Sequence, residues 1–469
     1  MTHARVAGPW EGALPDKPNT RTIVPWDSAA VLEVLPEGDP EAGALVVRLG
    51  KSDSVYDGRG GVLLKLEPPG ARIEPISIVW QPRSGVALGA LARVDGEVRQ
   101  YEFSGEDAWT RTPKRSYSIP TLDLDLDAAR QVVVDREAGQ YLGHPTTVLL
   151  EDGTTMLCVY PKGHGGGGIV YKRSEDGGRT WSERLSVPES WATSKEVPTI
   201  HRVIDPETGK RRLIMFSGLY PTRLAVSEDD GASWSELEPV GEWGGIVVMG
   251  DVVRLKDGRY LAMFHDDGRF FSKEGGPRTM TLYKTFSEDG GLSWSHPEAV
   301  FSDDSIHLCE PGIIRSPCGT KLAVLLRENR RLRNSHVIFS EDEGAHFSQP
   351  RELPASLTGD RHTEVYAPDG RLFISFRDTT LESPTQGDWV AWVGTWDDLE
   401  QGLEGQYRVR LKDNRHRWDC AYPGVELLPD GTIVTTTYGH WDVDESPYIL
   451  SVRLTLAELA RLAEPELNP

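Results

Sequence analysis

The chain has 469 residues, with 51 Lys plus Arg against 72 Asp plus Glu and a formal net charge of -21. So acidic a surface argues against nucleic acid or an anionic membrane as partner, and an anionic ligand must be drawn in by local basic groups. The length suits two or three domains, or one large repeat fold with an accessory piece, and such a core needs no staples.

The four cysteines, Cys158, Cys309, Cys318 and Cys420, form no Cys-x-x-Cys pair. No zinc or redox motif is visible, so neither a metal nor a cofactor is expected, and buried free thiols are the simpler reading. No apolar run approaches the roughly 18 residues of a membrane span. The first residues, MTHARVAGPWEGALPDKPN, contain no apolar core of a leader. The expectation is therefore a cytoplasmic protein, or an exported one whose leader has been removed. Fourteen Trp and 48 Gly, with few helical patterns, point to an all-β chain.

In chain order, a Pro-rich start leads into short alternating runs: Ala44 to Leu49, Gly61 to Leu66, Pro75 to Trp80, Val86 to Arg93 and Glu97 to Phe103. These predict a small antiparallel, sandwich-like accessory domain over residues 1–125. It serves as a packing partner or as a carbohydrate-binding module.

From about residue 130 the chain becomes periodic. Turns fall at Asp152-Gly153, Glu207-Thr208-Gly209, Asp257-Gly258, Cys318-Gly319, Asp369-Gly370 and Asp430-Gly431, with spacings of about 50 to 60 residues. Four of them are followed by Ser-x-Asp-x-Gly-x-x-Trp, with Phe closing the last: Ser174 to Trp181, Ser227 to Trp234, Ser287 to Trp294 and Ser340 to Phe347. Two hairpins per repeat give four strands, and six such repeats arranged radially give a six-bladed β-propeller over residues 126–469. Gln131 to Val134 is placed to pair with the last blade and close the ring. Thr455 to Ala463 reads as a short capping helix. The repeated motif is structural: its Asp accepts turn N–H groups, its Gly allows a positive-φ corner, and its Trp plugs between strands.

One hairpin carries chemistry at its open end. Ile313–Arg315 and Leu322–Leu326 flank a Ser-Pro-Cys-Gly turn, so Glu310 and Arg327 are presented side by side. An exposed pair of this kind would be a plain ion pair. Superposing the repeats on their turns adds more. Eight residues before the turn Gly stand Pro145, Pro311 and Pro423, preceded by His144, Glu310 and Tyr422. The same offset brings up Arg361 and His362 in blade 5, Met249 near Asp251 in blade 3, and His201 with Arg202 in blade 2. Innermost strands converge on one mouth of a propeller. Just past the second strands lie Lys162 and His164, Ser217 and Tyr220, His265 with Asp266 and Asp267, Arg327, Arg377 with Asp378, and Tyr438 with His440. Together they predict a basic, His-rich pocket for an anionic small ligand.

The four Asp boxes, the six-repeat length, Glu310-Pro311 followed by Leu325-Leu326-Arg327-Glu328-Asn329, and Tyr422 before a Leu-Pro-Asp-Gly turn resemble the sialidase superfamily over about residues 130–455. The resemblance implies that Tyr422 attacks the anomeric carbon with Glu310 as its base. It implies Arg327 as one carboxylate-binding Arg and Arg377 or Arg408 as a second. A neutral Tyr avoids the repulsion that a carboxylate nucleophile would meet beside the substrate's own carboxylate.

The chain departs from the family at two places. Gly143-His144-Pro145 stands where the family has its first Arg, and Pro161-Lys162-Gly163-His164-Gly165-Gly166-Gly167-Gly168 stands where it has its acid/base Asp. His144 or His164 becomes the candidate proton donor, and Lys162 can share in anion binding. Another ulosonic acid or a uronate is then as good a substrate as N-acetylneuraminic acid. The leading expectation is an exo-glycoside hydrolase acting on a terminal acidic sugar. The alternatives are a lyase using Tyr422 with His144 or His265 on uronate-containing glycans, and a non-catalytic sugar-binding propeller.

Overall fold

The computed structural model describes residues 116–469 apart from positions 277, 332, 381, 382, 417, 444, 468 and 469; before 116 it describes strand segments and the turn Asp95-Gly96. The chain divides into two compact units: Met1–Arg115 with Arg330–Arg333, and Ser116–Asn329 with Asn334–Pro469.

The first unit contains two four-stranded antiparallel sheets. Its strands include the five runs expected from alternation. Three more, His3–Pro9, Arg21–Val24 and Ser28–Val34, lie in the stretch that reads as Pro-rich coil. Pro9 closes the first of these strands, and Pro15, Pro18 and Pro25 stand in the sequence between them, which hides the pattern.

The second unit is a six-bladed propeller. The inner strands are Thr146–Leu149, Pro198–Ile204, Ile246–Arg254, Leu308–Arg315, Gly359–Tyr366 and Gly424–Leu427. Gln131–Asp135 pairs with Tyr448–Leu454 as the outermost strand of blade 6, so the start of the unit closes the ring. Blade 1 has three regular strands instead of four. Its outer segment makes only scattered bonds, Ser182 N–H to Arg173 O and Leu185 N–H to Tyr171 O, before Pro188 ends the pairing. Blade 5 gains Thr121–Asp123 as a parallel edge strand. It replaces an Asp box with a short helix, Trp396–Gln401, capped by reciprocal bonds between Thr395 and Asp398. Four boxes therefore suffice for six blades. The final helix runs over Leu456–Leu467.

Apolar clusters fill the spaces between blades. Leu325 and Val337 of blade 4 pack with Ile374 and Trp392 of blade 5. Met215 and Ala225 of blade 2 pack with Leu157 and Tyr171 of blade 1. The boxes act as sequence chemistry dictates. In the first, Asp176 accepts the N–H groups of Arg179 at 3.0 Å and Thr180 at 2.9 Å, while Ser174 Oγ accepts from Gly178 N–H at 2.8 Å. The four cysteines are free thiols, three buried and Cys318 exposed.

Candidate active site

The heads of five inner strands share one backbone device. His144, Val247, Glu310, Arg361 and Ala421 all have positive φ, between 50° and 57°. In blades 3, 4 and 5 the ladder slips at this point, between Ile246 and Asp251, Cys309 and Gly312, and Asp360 and Thr363. A bulge of this kind re-aims a side chain out of the pleat and toward the channel mouth. Glu310 and Arg327 thus lie inside the paired strands, not beyond their ends as expected.

Glu310, Arg327 and Tyr422 meet there, all buried. Arg327 Nη1 donates to Glu310 Oε1 at 2.7 Å and to Tyr422 OH at 3.2 Å. The Tyr422 hydroxyl donates to the same Oε1. Burial is the largest influence and would raise the Glu310 carboxyl, but the Arg327 guanidinium, the Tyr422 hydrogen bond and His265 together hold the group below its ordinary range. Burial and the Glu310 charge push the Tyr422 phenol well up. At rest the pair is a carboxylate taking a hydrogen bond from a neutral phenol.

Asp360, fully buried, joins two guanidiniums. Arg377 Nε donates to Asp360 Oδ2 at 2.8 Å, Arg327 Nε lies 3.4 Å from Oδ1, and Arg377 Nη1 donates to Trp418 O at 2.7 Å. The Arg377 guanidinium carbon is 5.9 Å from the Tyr422 ring centre. Two cations therefore flank the phenol, oriented by one carboxylate.

On the other side of Tyr422 the His144 ring lies edge-on, with centroids 4.5 Å apart. His144 Nδ1 accepts from Gly165 N–H at 3.1 Å, so the neutral ring carries its proton on Nε2, 3.2 Å from Tyr438 OH. Tyr438 OH donates to Asp419 Oδ1 at 3.1 Å. Burial, then the nearby His164, pushes His144 well down. With both nitrogens committed and the ring held neutral, His144 is a poor proton donor, contrary to the expectation from sequence.

Asp419 gathers the rim. It accepts from Tyr141 OH at 2.8 Å, lies 3.0 Å from His440 Nε2, and lies 3.4 Å from His164 Nδ1. Burial raises its carboxyl, but the bonds from His164 and His440 bring it far below the ordinary range. His164 is the exposed member, with 57% of its side chain accessible. His416, Asp419 and His440 also place potential metal-ligand atoms within 4.8 Å of one another.

The remaining sequence candidates are placed elsewhere. Lys162 sits on the rim, 3.3 Å from Glu137. His265 is buried beneath Glu310, whose N–H donates to its Nδ1 at 3.3 Å, and burial pushes the ring down to about 4. Asp266 accepts N–H groups from Gly268 at 2.7 Å and Phe270 at 3.2 Å, which makes it a turn former and not a ligand group. Arg361 reaches across the channel to Gly250 O. His201, mid-strand and lowered to about 3 by burial, packs against Phe216. His362 Nε2 lies 3.2 Å from Leu357 O, behind the mouth. Arg202 is exposed near the turn end, 3.3 Å from Glu151. Arg408 is fully buried on Tyr407–Lys412, the fourth strand of blade 5, 3.0 Å from Asp378. Arg202, Arg408, Asp266 and His362 thus do not join the cluster around Tyr422.

Sequence reasoning missed Asp360, Asp419 and Glu196. Asp360 adjoins Arg361 in the bulge, and Asp419 is three residues ahead of Tyr422. Glu196 lies just ahead of Pro198, where blade 2 begins.

The BNR repeat-like domain family matches residues 128–310. No curated protein matches the sequence. Among solved structures, the Hadza microbial sialidase Hz136 is 17% identical with a TM-score of 0.52, over 80% of this chain and 75% of that one. The leech intramolecular trans-sialidase is 14% identical with a TM-score of 0.51, over 94% of this chain and 91% of that one. A variant of the NanB sialidase from Streptococcus pneumoniae is 11% identical with a TM-score of 0.50, over 95% of this chain and 94% of that one. The chain is, in fold, a sialidase-like BNR-repeat propeller.

Proposed function

We propose that the mouth is the active site of an exo-glycoside hydrolase that releases a terminal acidic sugar of the sialic or related ulosonic type. The reading is carried by the Tyr422 hydroxyl bonded to the Glu310 carboxylate between two guanidiniums. A carboxylate on the sugar is drawn to Arg327 and Arg377. Tyr422 attacks the anomeric carbon as its proton passes to Glu310, which is ionised beforehand because Arg327 lies 2.7 Å away and becomes neutral on taking the proton. The flanking guanidiniums balance the negative charge that accumulates. His164, held by Tyr141 at 2.8 Å, faces the rest of the substrate from the rim.

Sialidases among the structural relatives support a sialic-type substrate. The test is product identification by mass spectrometry on N-acetylneuraminic acid glycosides, other ulosonic acid glycosides and uronides. Release of a free ulosonic acid is the expected result. A product lighter by one water that absorbs as an unsaturated acid overturns the reading in favour of elimination, and turnover restricted to uronides overturns the ulosonic substrate.

A further inference from the structure

Departure of an alkoxide from the anomeric carbon needs a proton, and neither the phenol nor His144 has one to give. The loop after the second strand of blade 1 bears a run of glycines from Gly165 to Gly168. Those glycines are where the neighbouring blade comes in. A Cβ on Gly166 would lie 2.8 Å from Lys195 O, and one on Gly165 would lie 3.7 Å from Glu196 Oε1. Gly167 N–H donates to Ser194 O at 3.3 Å. The bare loop thus lets Ser194–Glu196 close against it. Glu196 is 8% exposed, its Oε1 accepts Val197 N–H at 2.9 Å, and Gly218 lies over its Cγ. The same Gly165 donates to His144, whose ring meets Tyr422. Glu196, Gly165, His144 and Tyr422 form one contiguous path along the mouth.

We propose that Glu196 is the general acid and base of this site, delivered from blade 2 through the glycine loop of blade 1. The proposal rests on the glycosidase reading above. In the first step the Glu196 proton goes to the glycosidic oxygen, which leaves with the electron pair of its bond to the anomeric carbon. Tyr422 oxygen bonds to that carbon and its proton passes to Glu310. In the second step the Glu196 carboxylate takes a proton from water. The hydroxide displaces Tyr422, which recovers its proton from Glu310. The charged groups acting on Glu196 are Glu310 from blade 4, which favours its protonated form, and His164 from the glycine loop, which opposes it. Burial is the largest influence and lifts the carboxyl to about 7, so a proton is available near neutral pH.

The experiment compares Glu196→Gln with the parent enzyme on two glycosides of the same acidic sugar. One carries a nitrophenyl group that departs without a proton, and the other carries an alkyl alcohol. On the alkyl glycoside kcat/KM should fall on the order of 10²–10⁴-fold, while formation of the glycosyl-enzyme from the aryl glycoside, followed as the nitrophenol burst, stays within about tenfold of the parent. The basic limb of the alkyl pH profile should vanish. Equal losses in both reactions, a persisting basic limb, or the same split appearing in His164→Gln instead would overturn the assignment. If Glu196→Gln does not fold, Glu196→Asp carries the test: a split in the same direction supports the role and a uniform loss overturns it. Release of acidic sugar by the parent enzyme reports on the underlying reading, so the two failures are distinguishable.

Discussion

The two ends of the propeller use the same backbone conformation for different purposes. At the turn end, positive φ falls mostly on glycine, as at Gly153, Gly258, Gly370 and Gly431, with φ from 72° to 94°, the exceptions being Asp230 and Glu343 inside the Asp boxes. Glycine adopts it without strain. At the mouth, positive φ falls on His144, Glu310, Arg361 and Ala421, each costing about 1–3 kcal/mol. The carboxylates differ in parallel. Asp176 in its box is satisfied by local turn bonds, whereas Glu310 depends on Arg327 from the next strand and Tyr422 from two blades away. One end is local and largely unstrained and serves the fold. The other is assembled from distant pieces, holds its strain through surrounding contacts, and carries the chemistry.

The sharpest way to break this contrast is at Tyr422. Tyr422→Phe removes one oxygen from the mouth and nothing from the turn end. Turnover should fall on the order of 10³-fold or more while binding of an acidic-sugar inhibitor changes little. Calorimetric titration alongside kinetics checks both halves. Loss of kcat no larger than tenfold would remove Tyr422 from the nucleophile role.

Asp360→Asn comes next. It leaves two buried guanidiniums without the carboxylate between them. Breaking a buried charge network of this kind costs about 3–5 kcal/mol, read as a lower urea midpoint. KM for an acidic substrate should rise as well, because Arg327 and Arg377 lose their orientation. A variant with normal stability and a normal KM would show that Asp360 orients neither.

How much of this could be read from sequence follows from the same contrast. The turn glycines and Asp boxes were legible because each is made within eight residues of chain or fewer. The Glu310–Arg327 pair was legible because one hairpin carries it, and ring closure because Gln131–Val134 is an apolar run without a blade of its own. Asp360 was obscured by its bulge: Arg361 occupied the superposed position, yet its side chain crosses to Gly250. Glu196 was lost because the blade 2 turn is longer. Counting back from Gly209 stops at His201, well inside the strand that begins at Pro198. Asp419 is brought to Tyr141 and His164 from across the ring, and such pairing leaves no local pattern.

At the turn end, Asp176→Ala should leave kinetics unchanged and cost about 1–2 kcal/mol of stability. Burial raises the Asp176 carboxyl, but bonds from Thr180 and Ser174 bring it down to about 2. A depressed carboxyl stabilises the fold above its unfolded value near 4, and that contribution fades as pH falls through about 2. The parent should therefore lose stability from about pH 4 downward faster than the variant. Denaturation midpoints at pH 6 and pH 3 measure the difference.

The smallest expected effect decides whether the channel belongs to the mouth. Arg202 stands on an inner strand, so a channel acting as one basic funnel would enlist it. Its placement argues otherwise: it is exposed, 3.3 Å from Glu151 beside the first turn. An exposed pair of this kind is worth less than about 1 kcal/mol. Arg202→Ala should alter stability by no more than about 0.5 kcal/mol and leave both kcat and KM on an acidic glycoside within twofold. A clear rise in KM that diminishes with added salt would mean that long-range attraction from the far end helps load the site, and the division between the two ends would then be structural only.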